Sequence, residues 1–201
     1  MGDTVYRDYD AAALYAQYDN RAQLTEEALE AIKANQNTRS AEYRVSAVRK
    51  HLDVKYGNDP RERLDIYLPE ANTPPMFAFM HGGYWQWNDK EGFDFLAKEL
   101  NAHGAAFANI EYSLCPAVTL AELTNQCQRA IAHLWKNASA YGYDASKIIV
   151  SGHSAGGHLT AMMQSTDWPA IDNALPSTNE MVDGVVKPVR DVHSKLSSSS
   201  S

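Results

Sequence analysis

The chain has 201 residues, a formal charge of −7 from 18 basic and 25 acidic side chains, and 44% apolar residues. That length and apolar content suit one α/β domain or a large piece of one. With 21% charged and 10% aromatic residues it is not a disordered polyelectrolyte, and no apolar run approaches the roughly 18 residues of a membrane-spanning helix. The acidic balance, without a cluster of Lys and Arg, argues against nucleic acid as a partner.

Residues 1–10 show no basic stretch followed by an apolar one, and Tyr6 stands where a myristoylation site needs Ser or Thr. A cytoplasmic protein with no membrane anchor is therefore expected. Cys115 and Cys127 each lie inside an apolar pattern, so both are expected to be ordinary buried thiols.

Residues 11–36 read as two helices, the first with Leu14, Tyr15 and Tyr18 on one face. The second carries Leu24, Ala28, Leu29 and Ile32 on another, with Thr25, Glu26 and Glu27 at its start. Leu52, Val54 and Tyr56 alternate, residues 57–60 turn the chain, and Leu64, Ile66 and Leu68 alternate again, which predicts an antiparallel hairpin. Met76–Met80 is a continuous apolar run of the kind that fills a strand covered on both faces.

Asn88 with Glu91 predicts a capped helix that buries Phe93, Leu96, Ala97 and Leu100 and closes at Gly104. A second buried strand is expected over residues 105–110. Thr119 and Glu122 form another capping box, and apolar residues from Leu120 to Trp135 recur at helical spacing before Gly142. Residues 147–151 make a third strand. This alternation implies right-handed crossovers and a parallel sheet.

The chemistry concentrates in two loops. Gly152-His153-Ser154-Ala155-Gly156 is a G-x-S-x-G directly after a strand and before Leu159, Met162 and Met163 at helical spacing. Such a turn strains Ser154, exposes its hydroxyl at the sheet's carboxyl edge, and sets a helix amino terminus beside any anion formed there. His81-Gly82-Gly83-Tyr84-Trp85 follows the Met76–Met80 strand, and its paired glycines can turn backbone N–H groups toward that anion. Spacing brings the loops together, because the residues between them hold one helix, one strand, one helix and one strand. His81 reads as a buried ring that shapes its loop rather than as a base.

HGGYW at His81–Trp85, EYSLCP at Glu111–Pro116 and SGHSAGGHL at Ser151–Leu159 resemble the α/β-hydrolase superfamily, and within it most the kynurenine formamidase (arylformamidase) family. The likeness covers roughly residues 10–170. It implies an α/β-hydrolase fold, a mostly parallel sheet with helices on both faces, preceded by an amino-terminal hairpin and two helices. It also implies hydrolysis of N-formyl-kynurenine to kynurenine and formate, a step of tryptophan breakdown, with a small-molecule substrate, no metal and no cofactor.

In that reading Ser154 is the nucleophile, and Gly82, Gly83 and Ala155 supply the oxyanion-hole amides. His81, Tyr84, Trp85, Gly152 and Gly156 support the two motifs, and Tyr84, Trp85 and Trp87 are available as pocket walls. The family's Asp and His lie well downstream on later loops, yet only 47 residues follow Ser154. The fold is therefore expected to stop soon after the nucleophile helix. His158 sits one turn into that helix, too close to reach back. Asp172 and Asp183 also follow the serine, and Asp191 with His193 is the remaining acid–base pair.

The expected layout is an amino-terminal helical extension over 1–40, an α/β-hydrolase core over 41–170 and an atypical tail over 171–201. A homodimer is an expected assembly. Two other readings stay open: a general carboxylesterase on this scaffold, and an inactive remnant acting as a binding module.

Overall fold

The structure, a computed structural model, describes residues 4–19 and 24–177. It opens on a small antiparallel hairpin, β1 (Thr4–Tyr6) with β2 (Tyr9–Asp10). Helix α1 (Ala11–Tyr18) follows, its first turn closed by the Asp10 carboxylate accepting from the Ala13 amide at 2.8 Å. Helix α2 (Glu26–Ser46) starts with the Thr25 hydroxyl accepting from the Ala28 amide at 3.2 Å.

It runs ten residues beyond the expected end near Gln36. The polar stretch Asn35-Gln36-Asn37 weakens the amphipathic signal there, but tertiary bonds anchor the far half. Ser40 accepts from the Phe95 amide at 3.2 Å, and the Tyr43 hydroxyl reaches Asn101 at 2.7 Å.

Five strands make the central sheet: β3 (Lys50–Lys55), β4 (Arg63–Tyr67), β5 (Met76–Met80), β6 (Ala106–Ile110) and β7 (Ile148–Gly152), in the spatial order β3-β4-β6-β5-β7. The β3–β4 hairpin forms as read and adds antiparallel to β6, whereas β5 runs parallel to both β6 and β7. This is the mixed, mostly parallel sheet of an α/β-hydrolase. Among the described residues β7 is paired on one side only, with β5.

Alternate strand residues feed two cores. Ile66, Ala78, Met80, Ala108 and Val150 pack toward helix α4 (Leu120–Tyr141) and helix α5 (Ala155–Gln164). Tyr67, Phe79 and Phe107 pack toward α2 and helix α3 (Leu96–Ala102).

The Asn88 capping box does not form. A 3₁₀ turn (Lys90–Phe93) precedes α3, the latter starts without a side-chain cap, and Asn88 bonds elsewhere. Gly104 does close the helix, at φ +77°. At α4, Thr119 accepts from the Glu122 amide at 3.1 Å, but the Glu122 carboxylate turns to Arg129 at 2.7 Å, so only half of that box is made. The last short helix is α6 (Trp168–Ile171).

Beneath the β3–β4 edge lies a buried ionic cluster. Lys90, Asp65 and Asp94 are all fully buried. The Lys90 ammonium donates to Asp65 at 2.8 Å, Asp53 at 2.9 Å and Glu91 at 3.0 Å, while Arg44 bonds Asp65, Asp53 and Asp94. Burial pulls the Lys90 pKa down, but the Asp65 carboxylate outweighs it and holds the ammonium above its ordinary value.

Asp94 differs: burial pushes its pKa up to about 6, against the pull of the Asn109 amide 2.9 Å away. A carboxyl raised in the folded state stabilises the protein below its unfolded pKa and loses that contribution as pH rises. We expect the stability of the native protein, relative to Asp94→Asn, to fall by about 2 kcal/mol between pH 4 and pH 6 and to level only above about pH 7. Urea titrations of both proteins at four pH values measure it, and parallel curves would remove Asp94 as the cause.

Candidate active site

The register of the parallel strands builds the site. Met80 lies opposite Gly152 where β5 and β7 end, so the His81 and His153 loops leave the sheet side by side. Beyond Gly152 the chain must turn from strand into α5, and Ser154 takes the bend at φ 55° and ψ −117°. A non-glycine residue seldom adopts that conformation and holds it only where its surroundings enforce it.

The surroundings here are two close backbone approaches. A Cβ on Gly152 would stand 2.3 Å from the Gly156 carbonyl carbon and oxygen, and one on Gly156 would stand 1.9 Å from the Met80 carbonyl oxygen. The elbow is packed directly on β5, and the Ser154 side chain is exposed above it.

The glycine loop closes on the same spot. A Cβ on Gly82 would come within 2.6 Å of the His153 carbonyl oxygen and 3.0 Å of the Ser154 Cβ, so Gly82 and Ser154 are in contact. Gly83 has φ +124°, and its carbonyl accepts from the Gln86 and Trp87 amides, both at 2.9 Å. The amides of Gly83 and Ala155 donate to no acceptor among the described residues.

An open cleft of about 350 Å³ lies over Ser154, lined by Tyr84, Trp85, Ala155 and His158. The Trp85 and His158 rings meet edge to face at 5.4 Å. Trp87, expected among the walls, instead packs edge-on against Tyr84 at 5.6 Å and does not line the cleft.

Comparisons with known proteins agree with this geometry. A family model described as BD-FAE matches residues 64–192. The chain belongs to the BD-FAE family. Kynurenine formamidases of Danio rerio and Salmo salar are 37% and 34% identical to it over 60% and 58% of its length, covering 41% and 39% of their own. An isoprenylcysteine alpha-carbonyl methylesterase of Arabidopsis thaliana is 33% identical over 54% of the chain and 26% of that protein.

Among solved structures, a Silicibacter protein provisionally titled a thioesterase superposes with a TM-score of 0.65 at 35% identity, over 74% of this chain and 54% of that one. A bacterial heroin esterase superposes with a TM-score of 0.57 at 27% identity, over 75% and 48%. The chain thus spans about two fifths of the length of the formamidases it matches.

In this BD-FAE chain the glycine loop rests on a buried polar scaffold. His81 is fully buried between the Tyr112 and Phe93 rings, at 4.3 Å and 5.9 Å. Its Nε2 lies 3.0 Å from Glu111 Oε1, its Nδ1 lies 2.9 Å from the Gly82 carbonyl, and the Tyr112 hydroxyl donates to the His81 carbonyl at 2.5 Å. Glu111 also accepts from Arg61 at 2.7 Å and from the Lys90 and Tyr112 amides at 2.9 and 3.0 Å.

The sequence pattern gives no role to Arg61, names Glu111 only within the EYSLCP motif, and casts Asn88 only as a helix cap. A carboxylate directly after a wholly buried strand was the one available signal, for Glu111; Arg61 sits in a hairpin loop and offered none.

Among the described residues nothing hydrogen-bonds the Ser154 hydroxyl. His158 faces Trp85 across the cleft. Asp172 pairs with Lys136 and accepts from the Ala174 amide at 2.9 Å, in a separate groove lined by Tyr56, Arg129 and His133. Asp183, Asp191 and His193, with most of the expected tail, lie outside the described residues. The described residues hold no group of three or more His, Cys, Asp or Glu arranged for a metal, Cys115 and Cys127 are free, and no described helix is long and apolar enough to cross a membrane.

Proposed function

We propose that this chain carries the nucleophile and oxyanion loops of a serine hydrolase of the arylformamidase type, acting on N-formyl-kynurenine or a similar aryl formamide in a cytoplasmic step of tryptophan catabolism. The observation that carries the reading is the contact of Gly82 with a strained, exposed Ser154, flanked by the unpaired amides of Gly83 and Ala155. Relatives named kynurenine formamidase support the substrate class.

Ser154 Oγ attacks the formyl carbon, and the Gly83 and Ala155 amides, with Gly82 at their side, receive the developing oxyanion at the start of α5, where the helix dipole adds to them. A histidine takes the hydroxyl proton and delivers it to the departing aniline nitrogen while a carboxylate orients its ring. Asp191 and His193 are the pair this chain offers for those roles. Water then releases formate from the acyl-enzyme. The aromatic walls Tyr84 and Trp85 suit a planar leaving group and leave room at the serine for a small acyl group.

Turnover of N-formyl-kynurenine measured beside p-nitrophenyl acetate tests the assignment. A higher kcat/KM for the formamide is expected. Hydrolysis of the ester alone would favour the second reading, a general carboxylesterase, which the methylesterase and heroin esterase relatives also support.

A further inference from the structure

Asn88 is the residue whose expected task, capping a helix, the fold does not use. It lies six residues past Gly82 with φ 75°, and its side chain turns back to donate from Nδ2 to the Gly82 carbonyl at 2.9 Å. The same carbonyl lies 2.9 Å from His81 Nδ1, but the Glu111 carboxylate 3.0 Å from Nε2 takes the proton of a neutral ring, so the Asn88 amide is the donor that holds the carbonyl. Asn88 is itself held, because Arg61 Nη2 donates to its backbone carbonyl at 2.8 Å while also gripping Glu111, the carboxylate beside His81.

A trans peptide is planar, with its C=O and N–H pointing to opposite sides. A donor that traps the Gly82 carbonyl therefore sets the direction of the Gly83 N–H, one of the amides beside the elbow that donate to no acceptor among the described residues. Gly83 itself, at φ +124°, has little intrinsic preference that would hold the peptide.

We propose that Asn88 is a positioning residue for the oxyanion hole: its side-chain amide locks the Gly82–Gly83 peptide so that the Gly83 N–H faces the oxygen that becomes negative during attack by Ser154. This rests on the hydrolase reading above. It adds that one side chain on the far side of the loop sets transition-state stabilisation without touching substrate.

Two variants separate the clamp from general damage. Asn88→Gly tolerates the positive φ and removes the donor, whereas Asn88→Asp keeps the shape and places a carboxylate oxygen against the Gly82 carbonyl. Since one oxyanion donor contributes about 10²–10³ in rate, the second-order rate of fluorophosphonate labelling is expected to fall about 10-fold in Asn88→Gly and about 100-fold in Asn88→Asp. A change in the residual dipolar coupling of the Gly83 N–H is expected in both, with other loop couplings and the thermal midpoint held.

Wild-type labelling rates, or a Gly83 coupling identical to that of the native protein in both variants, would overturn the proposal. Labelling of the native chain that Ser154→Ala fails to remove counts against the hydrolase reading instead. The orientation of the Gly83 amide decides the clamp in either case.

Discussion

Ser154→Ala is expected to abolish fluorophosphonate labelling of this protein and any formamide turnover it has, without loss of folded stability. Removing the nucleophile from a serine hydrolase costs about 10⁶ in turnover, because the residual oxyanion donors and binding contacts cannot replace a covalent step. Stability should hold or rise slightly. The hydroxyl makes no hydrogen bond among the described residues, the side chain is exposed, and the φ of 55° strains serine and alanine alike. Mass spectrometry of the labelled native chain locates the adduct, and a probe attached at any other residue would remove Ser154 from the nucleophile role.

Gly156→Ala is expected to destabilise the fold by about 3–5 kcal/mol, at the upper end of what a single added methyl does to a packed interior. The new Cβ would fall 1.9 Å from the Met80 carbonyl oxygen and 2.8 Å from that of His81. Both are backbone atoms, so neither can swing aside as a side-chain tip would, and relief requires moving α5 off β5. That movement would also draw Ser154 away from Gly82, so the labelling rate should fall with stability.

Gly104→Ala is the comparison. At φ +77° with open space around it, that substitution should cost only about 1 kcal/mol of backbone strain. Denaturant midpoints for the two variants measure the difference, and equal losses would mean that the close approach of elbow and strand does not hold.

The elements that sequence patterns located well are those whose signal is local. Met76–Met80 reads as buried because every residue in it is apolar. Thr119 and Gly142 bound α4 because capping and the left-handed stop act within one turn. The G-x-S-x-G motif declared its own strand-to-helix bend.

Readings failed where a distant partner outbids a local one. Asn88 looks like an N-cap, but the Gly82 carbonyl takes its amide instead. Residues 37–46 lack an apolar stripe, yet α2 extends through them because Arg44 finds Asp65 and Asp94. Arg61 carries no pattern at all, and its importance to the glycine loop exists only once the hairpin folds beside Glu111.

The order of residues by itself determined that this chain forms strands and helices in alternation and that a serine flanked by glycines caps one of the strands. Those outcomes depend on forces acting over a few residues: side-chain periodicity, helix-end hydrogen bonding and the steric freedom of glycine. Only the tertiary structure decided that β5 is neighbour to β7, that Gly82 touches Ser154, and that the buried Glu111, the half-buried Arg61 and the exposed Asn88 hold the glycine loop beside it. Apart from the short reach of Asn88 to Gly82, these contacts join residues tens of positions apart, and around Glu111 and His81 their strength comes from excluding water from groups that no local pattern brings together.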